Sequence, residues 1–251
     1  MSSAAISFIV LAAVFGGALA GMLLRRSLRQ DHVSPDSKET VKLAMALVST
    51  MSALVLGLLV SSAKTFYDMQ SAELNQMSAD VVALDRLLAH YGPETKEARE
   101  KLRIAVIRNL DRIWPQERTR TSEEPVSDKL GESLIDEIKA LSPKDDMQRS
   151  LGAQALTLAV SIGRMRWLMY EQSNASFSRT LLIVMVFWLI LAFVSFGLFA
   201  PRNVIVIASL FAAAFATSGA IFLILAMYMP FSGLMQLSSA PLRSALAHLG
   251  Q

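Results

Sequence analysis

Four segments of this chain carry no charged side chain over about twenty residues each: 6–24, 43–63, 180–200 and 204–229. Each meets the length of about 20 residues that a helix needs to cross the hydrocarbon of a bilayer. We therefore expect an all-α protein with four transmembrane helices. Composition agrees. Of 251 residues 53% are apolar and 18% charged, and the mean hydropathy is +0.43. That balance fits a membrane protein better than one large soluble core.

The first segment raises the question of a cleaved signal. Ala18-Leu19-Ala20 matches a small-x-small cleavage site, but no positive charge precedes the apolar run and Arg25 and Arg26 follow it. A signal peptide has the reverse order, so this segment reads as a retained span. Absence of cysteine excludes disulfides, thiolate chemistry and cysteine-ligated metal. The net charge of +3 is small and its basic residues are dispersed, which argues against a nucleic-acid partner.

Residues 64–180 are the one sizeable polar region, with 17 Lys and Arg against 18 Asp and Glu. Met77, Val81, Leu84, Leu88 and Tyr91 recur at helical spacing, and Gly92-Pro93 then breaks the helix. Ala98, Leu102, Ala105, Val106, Leu110 and Ile113 form a second stripe, which Pro115 ends. Residues 116–128 have loop composition, followed by a short helix with Leu130, Leu134, Ile138 and Leu141 on one face. Ser142-Pro143-Lys144-Asp145 predicts a helix start with Ser142 as its cap. The stripe from Met147 to Met169 leads toward the third span, with Asn174-Ala175-Ser176 as a weak point. The expected organisation is a transmembrane hairpin at 1–63, a helical extramembrane domain at 64–180 between helices two and three, and a second transmembrane hairpin at 181–251 with a short tail. Nothing between Ser61 and Tyr91 breaks a helix, so residues 43–91 read as one continuous helix.

Lysine and arginine near the membrane ends orient the chain. Arg25, Arg26, Arg29, Lys38 and Lys42 crowd the first connection, and Arg202 shares its side if all four segments span. This favours the cytoplasm for both and the outer, periplasmic side for residues 64–180.

Within the second span Thr50, Gly57, Ser61, Lys64 and Asp68 fall in a narrow stripe at about 100° per residue, while Leu54, Leu56, Leu58 and Leu59 fill other faces. A small and polar stripe serves close helix packing, its commoner use, or it lines a wet path with Lys64 drawing anions to the mouth. Gly17 and Gly21 form a G-x-x-x-G face, and Ala212, Ala216 and Ala220 a second small-residue face. Both predict helix packing within one chain or between chains. The spans hold no Lys, Arg, Asp, Glu or His, which weighs against a proton-driven carrier.

No catalytic or metal signature stands out. His32, His90 and His248 lie in different regions, none in ligand spacing, and there is no Walker loop and no G-x-S-x-G. Neither cofactor nor metal is expected. Arg99 with Arg103, and Arg108 with Arg112, stand at i,i+4; such pairs on a helix most often face solvent, the alternative being an acidic partner or phosphate.

Three stretches together resemble a known family: Gly57-Leu-Leu-Val-Ser-Ser-Ala-Lys64, Leu84-Asp-Arg-Leu-Leu-Ala-His-Tyr-Gly-Pro-Glu94 and Asp111-Arg-Ile-Trp-Pro115. They are similar to bacterial integral membrane proteins, a family without an assigned activity that carries the label bestrophin-like, most strongly over residues 41–115. The resemblance implies a bacterial cytoplasmic membrane. It also implies an oligomeric anion channel whose second membrane helix lines the pore, with Thr50, Gly57 and Ser61 toward the axis. Bestrophins keep the domain between helices two and three in the cytoplasm and line the pore neck with bulky apolar residues. The charge count and the small, polar stripe differ from that pattern. Two readings follow. One is a non-enzymatic, self-associating membrane protein that forms a passive ion or anion channel. The other is a scaffold or sensor whose residues 64–180 bind a protein partner, through the Leu102, Val106 and Leu110 stripe and the loop at 116–128. An enzyme comes third.

Overall fold

A computed structural model describes residues 2–27, 35–114, 129–173, 179–231 and 233–250. Among them every regular element is helical. They are α1 (Ser3–Ser27), α2 (Pro35–Tyr91), a 3₁₀ turn (Pro93–Thr95), α3 (Lys96–Ile113), α4 (Lys129–Ala140), α5 (Asp146–Ser173), α6 (Arg179–Phe199), α7 (Val204–Met227) and α8 (Ala240–His248). The expected loop at 116–128 and the weak point at 174–176 lie outside the described residues.

The chain divides into two compact units. The first holds Met1–Tyr67 and Ser176–Met229, the second Asp68–Ala175 and Pro230–Gln251. Among the described residues four helices are long and apolar enough to cross a membrane, within Ser3–Arg25, Glu39–Tyr91, Thr180–Phe199 and Val204–Met227.

In the first unit α1 packs on α6 and α7. Val10, Val14, Ala18 and Met22 of α1 are buried, with Met185, Leu189 and Phe193 of α6 and Ala214, Ile221 and Leu225 of α7. Between apolar helices the hydrophobic effect offers no preference for one face over another, so close approach and hydrogen bonds set the packing. Ser218 supplies one such bond, its hydroxyl donating to the carbonyl oxygen of Ser7 at 2.6 Å across the α1–α7 contact.

In the second unit the predicted stripe of α2 is buried through Met77, Val81, Leu84, Leu88 and Tyr91. α2 ends as expected at Gly92, whose φ of 137° suits glycine alone. The carbonyls left open at that end find side-chain partners. The Thr95 hydroxyl stands 2.5 Å from the Leu88 oxygen and 2.8 Å from that of Gly92, with one proton to share between them. Gln148 Nε2 donates to the Tyr91 oxygen at 2.9 Å.

α5 begins at Asp146, not at Ser142-Pro143. Asp145 is the cap, accepting from the Gln148 backbone N–H at 2.7 Å, while Gln148 Oε1 accepts from Lys144 N at 2.8 Å. This is close to a capping box, in which the glutamine would reach back to the N–H of the cap itself; here it reaches one residue further, to Lys144, and the pair outcompetes the serine upstream. The C-terminal residues are more than a tail. Leu237, Leu242, Ala245 and Leu249 are buried, and α8 packs on α3 within the second unit.

Candidate functional site

α2 presents two opposed faces in the first unit. Ser52, Leu59 and Ala63 are buried, and they share one side of the helix at about 100° per residue. Thr50, Gly57, Ser61 and Lys64 lie on the opposite side, and all four are exposed. A Cβ added at Gly57 would meet nothing within 4 Å. Only 11% of the most apolar window of α2 is buried, against 39%, 33% and 39% for α1, α6 and α7. Three spans thus bury part of their surface on one another, while the second offers nearly all of its own.

The exposed face is not purely small and polar. Leu54 was expected on another face, yet it stands within about 40° of Thr50, and Leu47 and Leu43 extend the same side toward the N-terminus. All three are exposed. Leu43, Leu47, Thr50, Leu54, Gly57, Ser61 and Lys64 alternate in steps of four and three, the spacing of a helix–helix seam. Bulky apolar residues lead into small and polar ones along it. The pattern was open to a reading that counted the leucines along with the polar residues.

Lys64 sits at the polar end. Its Nζ lies 5.9 Å from the Tyr67 ring centroid, one turn on. Nearby, Phe66 stacks on Tyr228 with ring centroids 5.2 Å apart, and the Ser62 and Tyr228 hydroxyls are 3.2 Å apart. These contacts tie α2 to the end of α7 on the side away from the exposed seam.

The glycine face of α1 meets α6. A Cβ at Gly17 would lie 3.3 Å from Ile190 Cγ2, and one at Gly21 would lie 2.1 Å from the Val194 carbonyl oxygen. A third glycine, which the sequence reading did not single out, completes the crossing: a Cβ at Gly197 would lie 1.9 Å from the Ala18 oxygen. Gly197 is a lone glycine in an apolar run, and no spacing pattern marks it. The alanine face of α7 behaves differently. Ala214, Ser218 and Ile221 make the packed side, whereas Ala212 and Ala216 are exposed and Ala220 half-buried on the other. Among the described residues the packed side of α7 is thus not the alanine face.

Two arginines close this unit at one end. Arg25 donates to the Ala200 carbonyl oxygen at 2.7 Å, and Arg202 donates to that of Met22 at 2.6 Å. Arg25 reaches an open carbonyl just past the end of α6, and Arg202 a carbonyl in the last turns of α1, where the dipole favours positive charge.

In the second unit Leu102, Val106 and Leu110 are buried, so the stripe that suggested a docking face belongs to the core. Arg99, half of one like-charged pair, forms a two-pronged ion pair with Asp85 at 2.7 and 2.9 Å. Asp85 was not singled out in the sequence, because a carboxylate in a solvated-looking helix gives no sign of burial. Lys101 pairs with both Glu97 and Glu137. The hydrogen bonds that the Lys101 ammonium donates to these carboxylates hold its pKa above its ordinary value, Glu137 contributing most. His90 and His248 are exposed. Among the described residues no three His, Asp or Glu side chains gather as metal ligands would.

No curated protein and no solved structure matches the chain. The Bestrophin-like domain family does, over residues 12–242. With nearly the whole length matched, and the three quoted stretches inside it, the chain belongs to the bestrophin-like family.

Proposed function

We propose that this protein is a multi-pass membrane protein whose copies associate around α2 to form a passive path for ions, anions among them. One observation carries the reading. α2 is apolar enough to span, yet its seam from Leu43 to Lys64 is left open on the side opposite its packed face. A single helix facing lipid would need no serine, threonine and glycine on that line. A ring of such helices would place Thr50, Gly57 and Ser61 toward an axis and Lys64 at a mouth, where an ammonium favours anions. The leucines Leu43, Leu47 and Leu54 would narrow the other end. Ala212, Ala216 and Ala220 give α7 a small-residue face for a neighbouring copy. Family membership supports a channel over an enzyme, since bestrophins are ion channels.

In this reading the four apolar segments span the cytoplasmic membrane of a bacterium, and residues 64–180 form an extramembrane helical domain on the periplasmic side. The side follows from Arg25, Arg202 and the other basic residues of the first connection. A reporter fused after Gln116 tests it, and a cytoplasmic signal would reverse the orientation.

Purified protein in liposomes is expected to pass ions, and Ser61→Leu or Lys64→Glu to change the flux or its anion preference. A monomer in detergent that is silent in liposomes would end the proposal.

A further inference from the structure

The second unit contains two cavities whose linings overlap. One, of about 200 Å³, lies among α2, α3, α4 and α5, with walls that include Leu102, Val106, Leu134, Ala159 and Ile162. The other, of about 190 Å³, is lined by Ile113, Met169, Phe231 and Arg112 among others. Met77, Asn109 and Arg166 line both. Together the two reach the lower part of the range of small-molecule sites, about 300 to 1,000 Å³.

Polar groups gather where the cavities meet. Arg166 lies against α4 at Gly131, where a Cβ would stand 3.4 Å from its Nη2 and 3.6 Å from its Nη1. Asn109 supplies a carboxamide from α3, and Arg112 a second guanidinium one turn on. Glu132 is a carboxylate on the first lining, and Arg112 belongs to the second. The remaining wall is aliphatic or aromatic. An apolar chamber with a few convergent polar groups is the usual form of a ligand site, and guanidiniums match carboxylate and phosphate geometry.

We infer that this chamber binds a small single-chain amphiphile with an anionic head, the head between Arg166, Asn109 and Arg112 and the tail along Leu102, Val106 and Ile162. This site is separate from the α2 seam and does not depend on the channel reading.

A built-in reporter sits beside it. Trp114 is buried and meets Phe231 edge to face, with ring centroids 6.1 Å apart. The test uses the full chain in lipid nanodiscs with Trp167→Phe and Trp188→Phe, which leaves Trp114 alone. Titration with 8-bromooctanoate is expected to quench Trp114 saturably. Octanoate should compete, and octanol, with the same tail and no charge, should not. Competition by octyl phosphate at lower concentration than octanoate would support the site with a preference for a phosphate head over a carboxylate. Arg166→Gln should weaken binding roughly ten-fold or more, the effect of losing a charge-assisted hydrogen bond. Arg112→Gln, at an exposed position, should weaken it in the same direction and stands in if Arg166→Gln does not fold. Ala105→Leu should fill the chamber and abolish saturable quenching. Equal competition by octanol and octanoate, or unchanged quenching in Ala105→Leu, would overturn the inference.

Discussion

The indole N–H of Trp114 donates to the carbonyl oxygen of Leu237 at 2.9 Å, joining residues 123 positions apart inside the second unit. Both residues are buried. Trp114 is the last residue before Pro115, so the bond ties the end of α3 to the C-terminal segment that leads into α8. Trp114→Phe keeps most of the ring but leaves a buried carbonyl without its donor. We expect a loss of about 1 to 3 kcal/mol, read by thermal unfolding, with faster proteolysis near residue 237. A variant as stable as the parent would show that the bond anchors nothing.

Gly21 and Gly197 allow the backbones of α1 and α6 to touch. Gly21→Ala places a Cβ against the Val194 carbonyl, and the atom in the way is backbone, which cannot rotate aside. The helices must separate, at a cost of at least about 1 to 3 kcal/mol. Gly16→Ala is the control. Nothing lies within 4 Å of its Cβ, so the change should be neutral or stabilise by up to about 1 kcal/mol through helix propensity. Unfolding curves of the two variants in detergent should therefore move apart.

Asp85 is 2% exposed. It accepts two bonds from Arg99 and one from the Gly250 N–H at 3.2 Å. Asp85→Asn removes the charge that Arg99 answers. A fully buried pair loses about 3 to 5 kcal/mol when one partner goes. Here the Arg99 side chain keeps 24% exposure, and water can take over part of its solvation, so we expect about 2 to 3 kcal/mol. Denaturant titration of the purified protein measures it. Arg99→Gln should cost more than Asp85→Asn if the stranded carboxylate is the worse outcome.

Glu94 pairs with Lys144 across the second unit. The hydrogen bond from the Lys144 ammonium is the largest cause holding the Glu94 carboxyl below its ordinary value of 4.5. The same bond raises the Lys144 ammonium. A carboxyl depressed in the folded state adds stability that is fully present above pH 4.5 and is lost as pH falls through the depressed value. Both groups are at the surface, so the effect will be small and weakened by salt. A site-resolved NMR titration should find Glu94 low in the parent and higher in Lys144→Gln, where the lysine hydrogen bond is gone and the backbone hydrogen bond remains.

What the sequence determined by itself was local. The four apolar stretches, the helical stripe from Met77 to Tyr91 and its stop at Gly92-Pro93 all follow from hydropathy, periodicity and backbone stereochemistry. Those causes act over a few residues, and the helices duly lie close to where they were expected. The start of α5 was a contest between two nearby caps, Ser142 and Asp145, which local preference alone did not resolve. Gln148 decided it, bonding to the Lys144 N–H and to the Tyr91 carbonyl far away in sequence. Only tertiary structure decided which face of each helix is used. In an apolar helix hydropathy is nearly uniform around the axis, so it cannot tell a packed face from an open one. Ala18 and Gly21 packed, Ala212 and Ala216 did not, and the Thr50–Lys64 line stayed open with Leu54 beside it. Burial of Asp85 and of the Leu102–Leu110 stripe depended in the same way on partners distant in the chain. Lone residues such as Gly197 acquire their role from the backbone that comes to lie against them, here the carbonyl of Ala18.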